Sequence, residues 1–346
     1  MFNKIEIERF RGIKHASIEG FKQINLFFGK NNCGKTTLLE SLLLSAGLSN
    51  PRLFRDINII RDYYKSFRFD DFMLNFYNLD STQPIHIKVV DDEIRDLKIS
   101  IFEKNKTIIP SMGNEKVDKL STVADKDYEV KYDFIVNNES FSTKLQFDST
   151  QPDRLTWKRA NTYEELLKSF YLGPKYDFNT SIQGLNNILK NKDEDFVIEG
   201  LRFIEPRVKN FIFTEEGIFV DIGIEKRIPI NMMGDGVRKI VSLLTAIYDC
   251  KDGIVLIDEI SNGFHYSVMS NLWNVIIKAA IKNNTKLFIT THDYDSIKGL
   301  RDTALGEFDE QVSTFKLLRT SDDELKALHY SLESVDYSIN QEIEIR

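Results

Sequence analysis

The feature that most constrains the fold of this chain is a glycine-rich stretch at residues 29–36, with the sequence GKNNCGKT. An apolar strand pattern precedes it at residues 24–28, and a leucine-rich helix pattern follows it up to Gly47. Glycines let such a loop wrap tightly, so that its backbone N–H groups and the positive N-terminus of the following helix face an anion. The stretch therefore predicts a strand, a phosphate-binding loop and a helix, in that order.

The side chains of this loop predict how a nucleoside triphosphate is held. The lysine at the helix start reaches the β- and γ-phosphates, and the next hydroxyl, that of Thr36, coordinates Mg²⁺. The candidate nucleotide-binding residues are Gly29, Asn31, Asn32, Cys33, Gly34, Lys35, Thr36 and Thr37.

A second motif consists of four apolar residues, 254–257, followed by two carboxylates, Asp258 and Glu259. Such a run predicts a buried parallel strand whose carboxyl end opens at the ligand crevice of an α/β sheet. A carboxylate at that edge can hold the Mg²⁺ shell, and a second one can take a proton from the attacking water. We therefore expect Asp258 to be a metal ligand, together with Thr36, and Glu259 to be the catalytic base.

Two weaker motifs accompany these. Another apolar strand pattern ends at His292, where an imidazole could hydrogen-bond the γ-phosphate, orient the attacking water, or be an ordinary surface group. A loop with two glycines precedes a helix pattern at residues 231–239, which is either a second anion site or a simple turn. Its candidate nucleotide-binding residues are Gly234, Asp235, Gly236 and Arg238.

The remaining patterns predict the organisation of the chain. Alternating apolar residues indicate β-hairpins at 85–101 and 128–147, with a polar surface loop at 105–125 between them. Residues 162–206 have a helical pattern, with Leu166, Leu167 and Phe170 on its first apolar face. Beyond residue 236 helix and strand patterns alternate, which indicates parallel strands with crossover helices. We expect residues 1–50 and 207–346 to form a nucleotide-binding core, and residues 51–206 to be an insertion with helices and two hairpins.

The composition of the chain argues against several classes of protein. The net charge of −7 argues against a wholly basic, nucleic-acid-coating surface. The two cysteines, Cys33 and Cys250, predict no disulfide framework, and the absence of a CxxC motif excludes a zinc hook. No apolar run is long enough for a membrane span, and the N-terminus lacks a signal-peptide pattern. We therefore expect a cytoplasmic protein without a membrane partner.

The order of the four motifs resembles the ATP-binding cassette (ABC) fold. Residues 29–36 resemble a Walker A with Asn31 at its asparagine, 233–239 a divergent signature loop, 258–259 the Walker B, and His292 the H-loop histidine. The long separation between Walker A and signature resembles ATPases of the SMC/RecF/OLD group. So do residues 7–13, similar to an "nFrgi" segment, and 257–265, similar to the "IDEienGlH" run of OLD-like, AAA-labelled ATPases. The resemblance implies an α/β fold: a split ABC-type ATPase head with a mixed central sheet and inserted β-hairpins and helices.

The same resemblance implies a mechanism and partners. ATP and Mg²⁺ would be the cofactors, and two heads would dimerise on ATP, with Gly234–Arg238 of one closing over the γ-phosphate bound by the other. Gly234 stands where relatives often have serine, so backbone N–H groups must serve there. OLD proteins carry a Toprim nuclease domain after the ATPase, whereas this sequence ends soon after His292. It therefore resembles a stand-alone ATPase subunit that controls a separate effector, a nuclease in our interpretation, in bacterial anti-phage systems.

Two alternatives remain open at this point. The first is a RecF-like DNA-repair ATPase that clamps DNA directly through the basic residues Arg154, Lys158 and Arg159 beside Trp157. The negative net charge favours a solvated surface for that cluster instead. The second alternative, a transporter cassette, fits less well, because the insertion is large and the signature lacks a serine-glycine-glycine core.

Overall fold

The computed structural model describes residues 2–61, 63, 69–91, 93–104, 127–147, 155–158, 163–174, 178–214 and 217–343. Its strands are β1 (Lys4–Phe10), β2 (Ile13–Glu19), β3 (Ile24–Phe28), β4 (Ile85–Val90), β5 (Ile94–Lys104), β6 (Asp127–Val136), β7 (Glu139–Phe147), β8 (Leu155–Lys158), β9 (Ser169–Leu172), β10 (Asn210–Thr214), β11 (Gly217–Asp221), β12 (Ile228–Pro229), β13 (Ile254–Ile257), β14 (Lys286–Thr291), β15 (Val312–Arg319) and β16 (Glu324–Tyr330). Its helices are α1 (Lys35–Ala46), α2 (Leu53–Ile60), α3 (Phe69–Met73), α4 (Phe178–Lys190), α5 (Glu194–Ile204), α6 (Asp235–Asp249), α7 (Met269–Asn283), α8 (Tyr294–Ala304) and α9 (Leu332–Asn340).

One large mixed sheet runs through the protein. Within the described residues it has 13 strands in the order β8-β7-β6-β5-β4-β1-β2-β16-β15-β3-β14-β13-β9. The strands from β8 to β2 pair antiparallel, while β15, β3, β14, β13 and β9 pair parallel. A smaller sheet holds β10, β11 and β12. The parallel half matches the predicted alternation of helices and strands.

The parallel strands are apolar because both of their faces are covered. Every residue of β3 and β13 is buried, as expected for strands between two layers of helices. Neighbouring residues of β3 point into different cores: Leu26 packs in one hydrophobic cluster with α6 and α7, and Phe27 packs in the other with α1. Phe27 stacks between the rings of Phe288 and Phe315. The phosphate-loop strand is thereby fixed from both sides.

The structure confirms several predicted elements. The two predicted hairpins form, as β4 with β5 and β6 with β7. A further short hairpin joins β10 to β11. The predicted helix after the glycine-rich loop is α1, which ends just before Gly47. The predicted surface loop at 105–125 lies outside the described residues. No described helix is long and apolar enough to span a membrane.

The prediction of a helix from residue 162 was wrong at its start. Residues 169–172 form β9, which pairs parallel with β13 in the register Phe170 to Val255. An apolar strand bonded to a buried neighbour outweighs the helical spacing of Leu166, Leu167 and Phe170. β9 belongs by sequence to the predicted insertion, yet it lies beside the strand that bears the two carboxylates. The division of the chain at residues 50 and 206 stays a prediction.

The hairpin β4–β5 is fastened to the helix that follows the phosphate loop. Arg95 on β5 is buried, and its Nε donates to the carbonyl oxygen of Ser45 at 2.9 Å, while its Nη2 donates to that of Ala46 at 3.4 Å. Glu165 forms an ion pair with the same guanidinium. A cation at these carbonyl groups is favourable, because the C-terminus of a helix carries partial negative charge.

A buried lysine secures the N-terminal segment. Nζ of Lys286, at the start of β14, donates to the carbonyl oxygens of Phe2 at 2.6 Å and Phe21 at 3.2 Å. Burial lowers the pKa of Lys286 to about 8.

This pKa predicts a pH dependence of stability. An unfolded lysine keeps the ordinary pKa of about 10.4, so between these values the unfolded chain binds more protons, and the folded state gains stability as pH rises. We expect urea unfolding of the wild type, relative to Lys286→Met, to show this gain, up to about 3 kcal/mol between pH 8 and 10.5. Other buried lysines are shared by both proteins and cancel in the difference. Identical pH dependence in the two proteins would contradict this assignment.

Candidate nucleotide-binding site

The glycine-rich loop has the backbone that the sequence predicts for a tight turn. Gly29 and Gly34 have φ angles of 151° and 108°, and Asn32 between them has a φ of 63°. A Cβ atom at Gly29 would lie 2.5 Å from the carbonyl oxygen of Leu317, so only glycine fits. Nζ of Lys35 donates to the carbonyl oxygens of Gly29 at 2.9 Å and Lys30 at 3.2 Å. The lysine ammonium therefore lies across the loop that would cradle the phosphates.

The first predicted carboxylate lies against the start of α1. Oγ1 of Thr36 donates to Oδ2 of Asp258 at 2.9 Å, although the two residues are 222 positions apart in the chain. Oγ1 of Thr290 on β14 donates to the other carboxylate oxygen at 2.6 Å. Tyr171 on β9 donates its hydroxyl to Oδ2 at 3.1 Å, and burial, followed by the charge of Asp258, raises the pKa of this phenol well above its usual range. The Asp258 carboxylate is thus held by hydroxyl groups from three elements.

This arrangement fits a magnesium ion. Mg²⁺ prefers hard oxygen ligands and keeps much of its shell as water and phosphate oxygens. The hydroxyl of Thr36 and the carboxylate of Asp258 supply two such ligands at one point. Within the described residues no group of three or more histidine, cysteine, aspartate or glutamate side chains could form a metal cage. A cation here would depend on the nucleotide for the rest of its shell.

The second carboxylate, that of Glu259, is placed by a residue with a left-handed backbone conformation. Glu259 has a φ of 55°, a left-handed conformation that residues with side chains seldom adopt. Its N–H donates to Oγ1 of Thr290 at 2.9 Å. Its Oε1 lies 3.9 Å from Nζ of Lys35, and its Oε2 lies 2.6 Å from Nδ1 of His292. The structure thus brings Lys35, Glu259 and His292 together around one point.

A cavity of about 900 Å³ opens over this point. That volume is in the range of small-molecule and cofactor sites. Most of the phosphate loop and Glu259 line it on one side, and the tips of the β1–β2 and β15–β16 hairpins line the other. The lining residues are Arg11, Gly12, Ile13, Asn31, Asn32, Cys33, Gly34, Lys35, Thr36, Thr37, Arg61, Leu74, Phe76, Asn78, Leu79, Glu259, Arg319, Asp323 and Leu325. Cys33 is buried, which raises the pKa of its thiol, so it contributes packing rather than a thiolate.

Sequence reasoning missed a buried charge network beside the loop. The fully buried carboxylate of Glu40 on α1 forms an ion pair with Arg11, whose Nε lies 2.7 Å away, and accepts a hydrogen bond from Nε of Arg61 at 2.7 Å. Nη2 of Arg61 also donates to Oγ1 of Thr37 at 3.0 Å. Burial lowers the pKa of Arg11 to about 10 against the opposing effect of Glu40, so both guanidinium groups stay charged at neutral pH. Two positive charges against one negative leave an excess that attracts phosphate groups.

The predicted signature residues lie elsewhere. None of Gly234, Asp235, Gly236 and Arg238 is among the described residues that line the large cavity. They lie at the start of α6, where Arg238 forms an ion pair with Asp235, and these two residues border a smaller cavity of about 400 Å³. Met232, just before them, is 79% exposed. The structure therefore leaves this loop accessible to another molecule and outside the described lining of the large cavity.

The side chains of the candidate DNA-contacting cluster lie outside what the structure describes. Arg154 and Arg159 lie outside the described residues, as do the side chains of Trp157 and Lys158.

Comparison with known proteins identifies the family of the chain. Residues 24–297, more than half of the chain, match the family described as "AAA domain, putative AbiEii toxin, Type IV TA system". The chain belongs to this family.

Named relatives of this AAA-domain chain include two bacterial proteins. It is 25% identical over 370 residues to a Helicobacter pylori protein named ATP/GTP phosphatase, and the alignment covers 99% of both chains. It is 32% identical over 119 residues to the DNA replication and repair protein RecF of Clostridium kluyveri, which covers 34% of this chain and 28% of RecF.

Solved structures similar to this AAA-domain chain are heads of SMC proteins. One is an SMC head bound to the C-terminal winged-helix domain of ScpA, 13% identical, with a TM-score of 0.53 and coverage of 97% of this chain and 99% of that one. Another is a Pyrococcus furiosus SMC head bound to the C-terminal domain of ScpA, 12% identical, with a TM-score of 0.52 and coverage of 99% and 100%. These likenesses confirm the predicted fold class, an α/β ABC-type ATPase head with a mixed central sheet.

The charge network of the AAA-domain chain predicts a stability effect. Glu40→Leu keeps a similar volume but leaves the buried Arg11 guanidinium without its counter-charge. We expect a loss of about 3–5 kcal/mol in the free energy of unfolding, measured by urea denaturation. Glu324→Leu, which removes a carboxylate 4.0 Å from the exposed Lys326, is the control and should cost less than about 1 kcal/mol. Equal losses of unfolding free energy in the two variants would show that the buried network does not contribute more to stability than an exposed ion pair.

Proposed function

We propose that this chain binds ATP with Mg²⁺ and hydrolyses it to ADP and phosphate. The observation that carries the proposal is the meeting of Thr36 and Asp258 at 2.9 Å, beside a glutamate whose carboxylate lies 3.9 Å from the loop lysine. A nucleotide-binding loop, a metal-binding pair and a proton acceptor are thereby available at one cavity. The relative named ATP/GTP phosphatase, similar over the full length, supports phosphate-bond hydrolysis.

Each residue has a distinct role in the proposed reaction. The backbone N–H groups of the loop and Nζ of Lys35 would hold the β- and γ-phosphates. Thr36 and Asp258 would hold Mg²⁺, which supplies charge neutralisation on the phosphate oxygens. Glu259 would take the proton of the attacking water, and His292 would keep its carboxylate oriented through their 2.6 Å contact. Most of the acceleration would come from positioning and electrostatics, as in phosphoryl transfer generally.

We further propose that two copies dimerise head-to-head on ATP. In this arrangement Gly234, Asp235, Gly236 and Arg238 of one copy would close over the nucleotide held by the other. The exposure of this loop, and the absence of its residues from the described lining of the large cavity, support a role in trans. The start of α6 supplies backbone N–H groups that suit a phosphate, which would replace the missing serine hydroxyl.

The biological role that we propose is a sensor or scaffold that controls a separate effector, a nuclease, in anti-phage defence. Support comes from the OLD-like run at 257–265 and from the family description, which names a toxin of a toxin–antitoxin system. The SMC heads of similar fold were solved bound to a domain of a second protein, ScpA. The alternative is a RecF-like ATPase that clamps DNA directly, which the local similarity to RecF favours.

The catalytic assignment is tested by charge-neutral substitution. We expect Glu259→Gln to lower ATP turnover at least about 100-fold, since general-base catalysis contributes that much, while ATP affinity stays within about threefold. Lys35→Ala should instead abolish ATP binding. Turnover can be followed by phosphate release, affinity with a fluorescent ATP analogue, and the ATP-trapped dimer of Glu259→Gln by light scattering. Glu310→Gln, the same change at an exposed turn, is the control. Normal hydrolysis by Glu259→Gln would overturn the assigned base.

The two biological roles are separated by a DNA-binding titration. A sensor that acts through an effector should not retain DNA on a filter with or without ATP. A clamp should bind DNA in an ATP-dependent manner and lose affinity steeply as salt rises from about 50 to about 200 mM, because phosphate contacts release counterions. ATP-dependent, salt-sensitive retention by the purified chain would replace the first role with the second.

A further inference from the structure

A buried lysine joins the signature helix to the catalytic turn. Lys239 lies on α6, just after the loop that contains Gly234 and Gly236, and is 2% exposed. Its Nζ donates to three carbonyl oxygens: those of Glu259 at 3.2 Å, Ile260 at 3.1 Å and Asn262 at 2.6 Å. An ammonium group has three N–H donors, so these contacts account for all of them. The mechanism proposed above does not use this residue.

The turn that Lys239 holds is the one that aims Glu259. Left-handed backbone at a residue with a side chain persists only where its surroundings fix it, and Glu259 has a φ of 55°. Strand β14 restrains one side of the turn, because Thr290 accepts from the N–H groups of Glu259 at 2.9 Å and Ile260 at 3.1 Å. Lys239 restrains the other side, through the carbonyl groups. Strand β14 and helix α6 therefore both fix the position of the turn that bears the Glu259 carboxylate.

Burying an ammonium is unfavourable, and packing alone does not require it. A methionine would fill similar space without the desolvation cost. Among the described residues, Nζ contacts the three carbonyl groups and lies 5.4 Å from the ring centroid of Phe264. Burial lowers the pKa of Lys239 to about 8, opposed by the charges of Glu259 and Asp258. Charged groups that are buried although an apolar side chain would fit are concentrated at functional sites.

We propose that Lys239 is a positioning residue that fixes the Glu259 turn from the signature helix, so that displacement of this helix moves the catalytic carboxylate. The inference rests on the proposed function and adds a route of control to it. A molecule bound at the exposed loop of Gly234–Gly236 would shift α6 and, through three hydrogen bonds, the base of the same chain. In a head-to-head dimer that molecule is the nucleotide of the other copy, so hydrolysis at one site responds to occupancy of the second.

The test compares two buried lysines. Lys239→Met removes the three donors. Lys286→Met makes the same change at a lysine whose Nζ donates to the carbonyl oxygens of Phe2 and Phe21, outside the site. We expect Lys239→Met to lower kcat for ATP about 10- to 100-fold, as misplacement of a catalytic group by about 1 Å does. Affinity for a fluorescent ATP analogue should stay within about threefold. Lys286→Met should retain the wild-type kcat, whatever its melting temperature.

Each outcome decides between the inference and the proposed function. If the wild type does not hydrolyse ATP, the proposed function fails, and Lys239 has no base to position. If the wild type is active and Lys239→Met keeps kcat within about threefold, the inference alone is overturned. A parallel loss of nucleotide affinity and kcat would also overturn it, because general damage to the site would then explain both. If Lys239→Met does not fold, Lys239→Gln, which keeps N–H donors on a shorter side chain, is judged by the same criteria.

Discussion

The contact between the hydroxyl of Thr36 and the carboxylate of Asp258 is the interaction on which the rest of the site depends. It joins the start of α1 to the end of β13, and it forms only because β3, β14 and β13 lie side by side, parallel and in register. Carboxyl ends of parallel strands meet at one sheet edge, which is where α/β proteins place ligands. The apolar composition of these strands is therefore as important for the site as its polar residues.

Much of this arrangement could be predicted from the sequence, because its motifs are local. A glycine-rich loop between an apolar strand and a helix can be recognised from neighbouring residues alone. An apolar run that ends in carboxylates likewise indicates the carboxyl end of a buried strand. Topology then brings Lys35, Asp258, Glu259 and His292 together. The hairpins were equally predictable, because alternating patterns on both sides of a short turn determine their register.

The residues that were missed share a cause, namely that their roles depend on distant partners. Glu40 looks like a solvent-facing residue of a leucine-rich helix until Arg11 and Arg61 are placed over it. Tyr171 lies in a short apolar segment that helical spacing described equally well, and only pairing with β13 decides between helix and strand. The division into core and insertion is difficult for the same reason, because one strand of the predicted insertion completes the edge of the core sheet.

The hydrogen bonds of Arg95 connect the antiparallel half of the sheet, through helix α1, to the phosphate loop. Helix α1 has 12 residues and spans about 18 Å, with the phosphate loop at one end and the Arg95 guanidinium on β5 at the other. If a ligand at its first turn tilted α1, the hairpin would be displaced with it, because Arg95 is hydrogen-bonded to the last carbonyl groups of the helix. The hairpin strands, far from the chemistry, would then be the surface on which nucleotide occupancy becomes visible to other molecules.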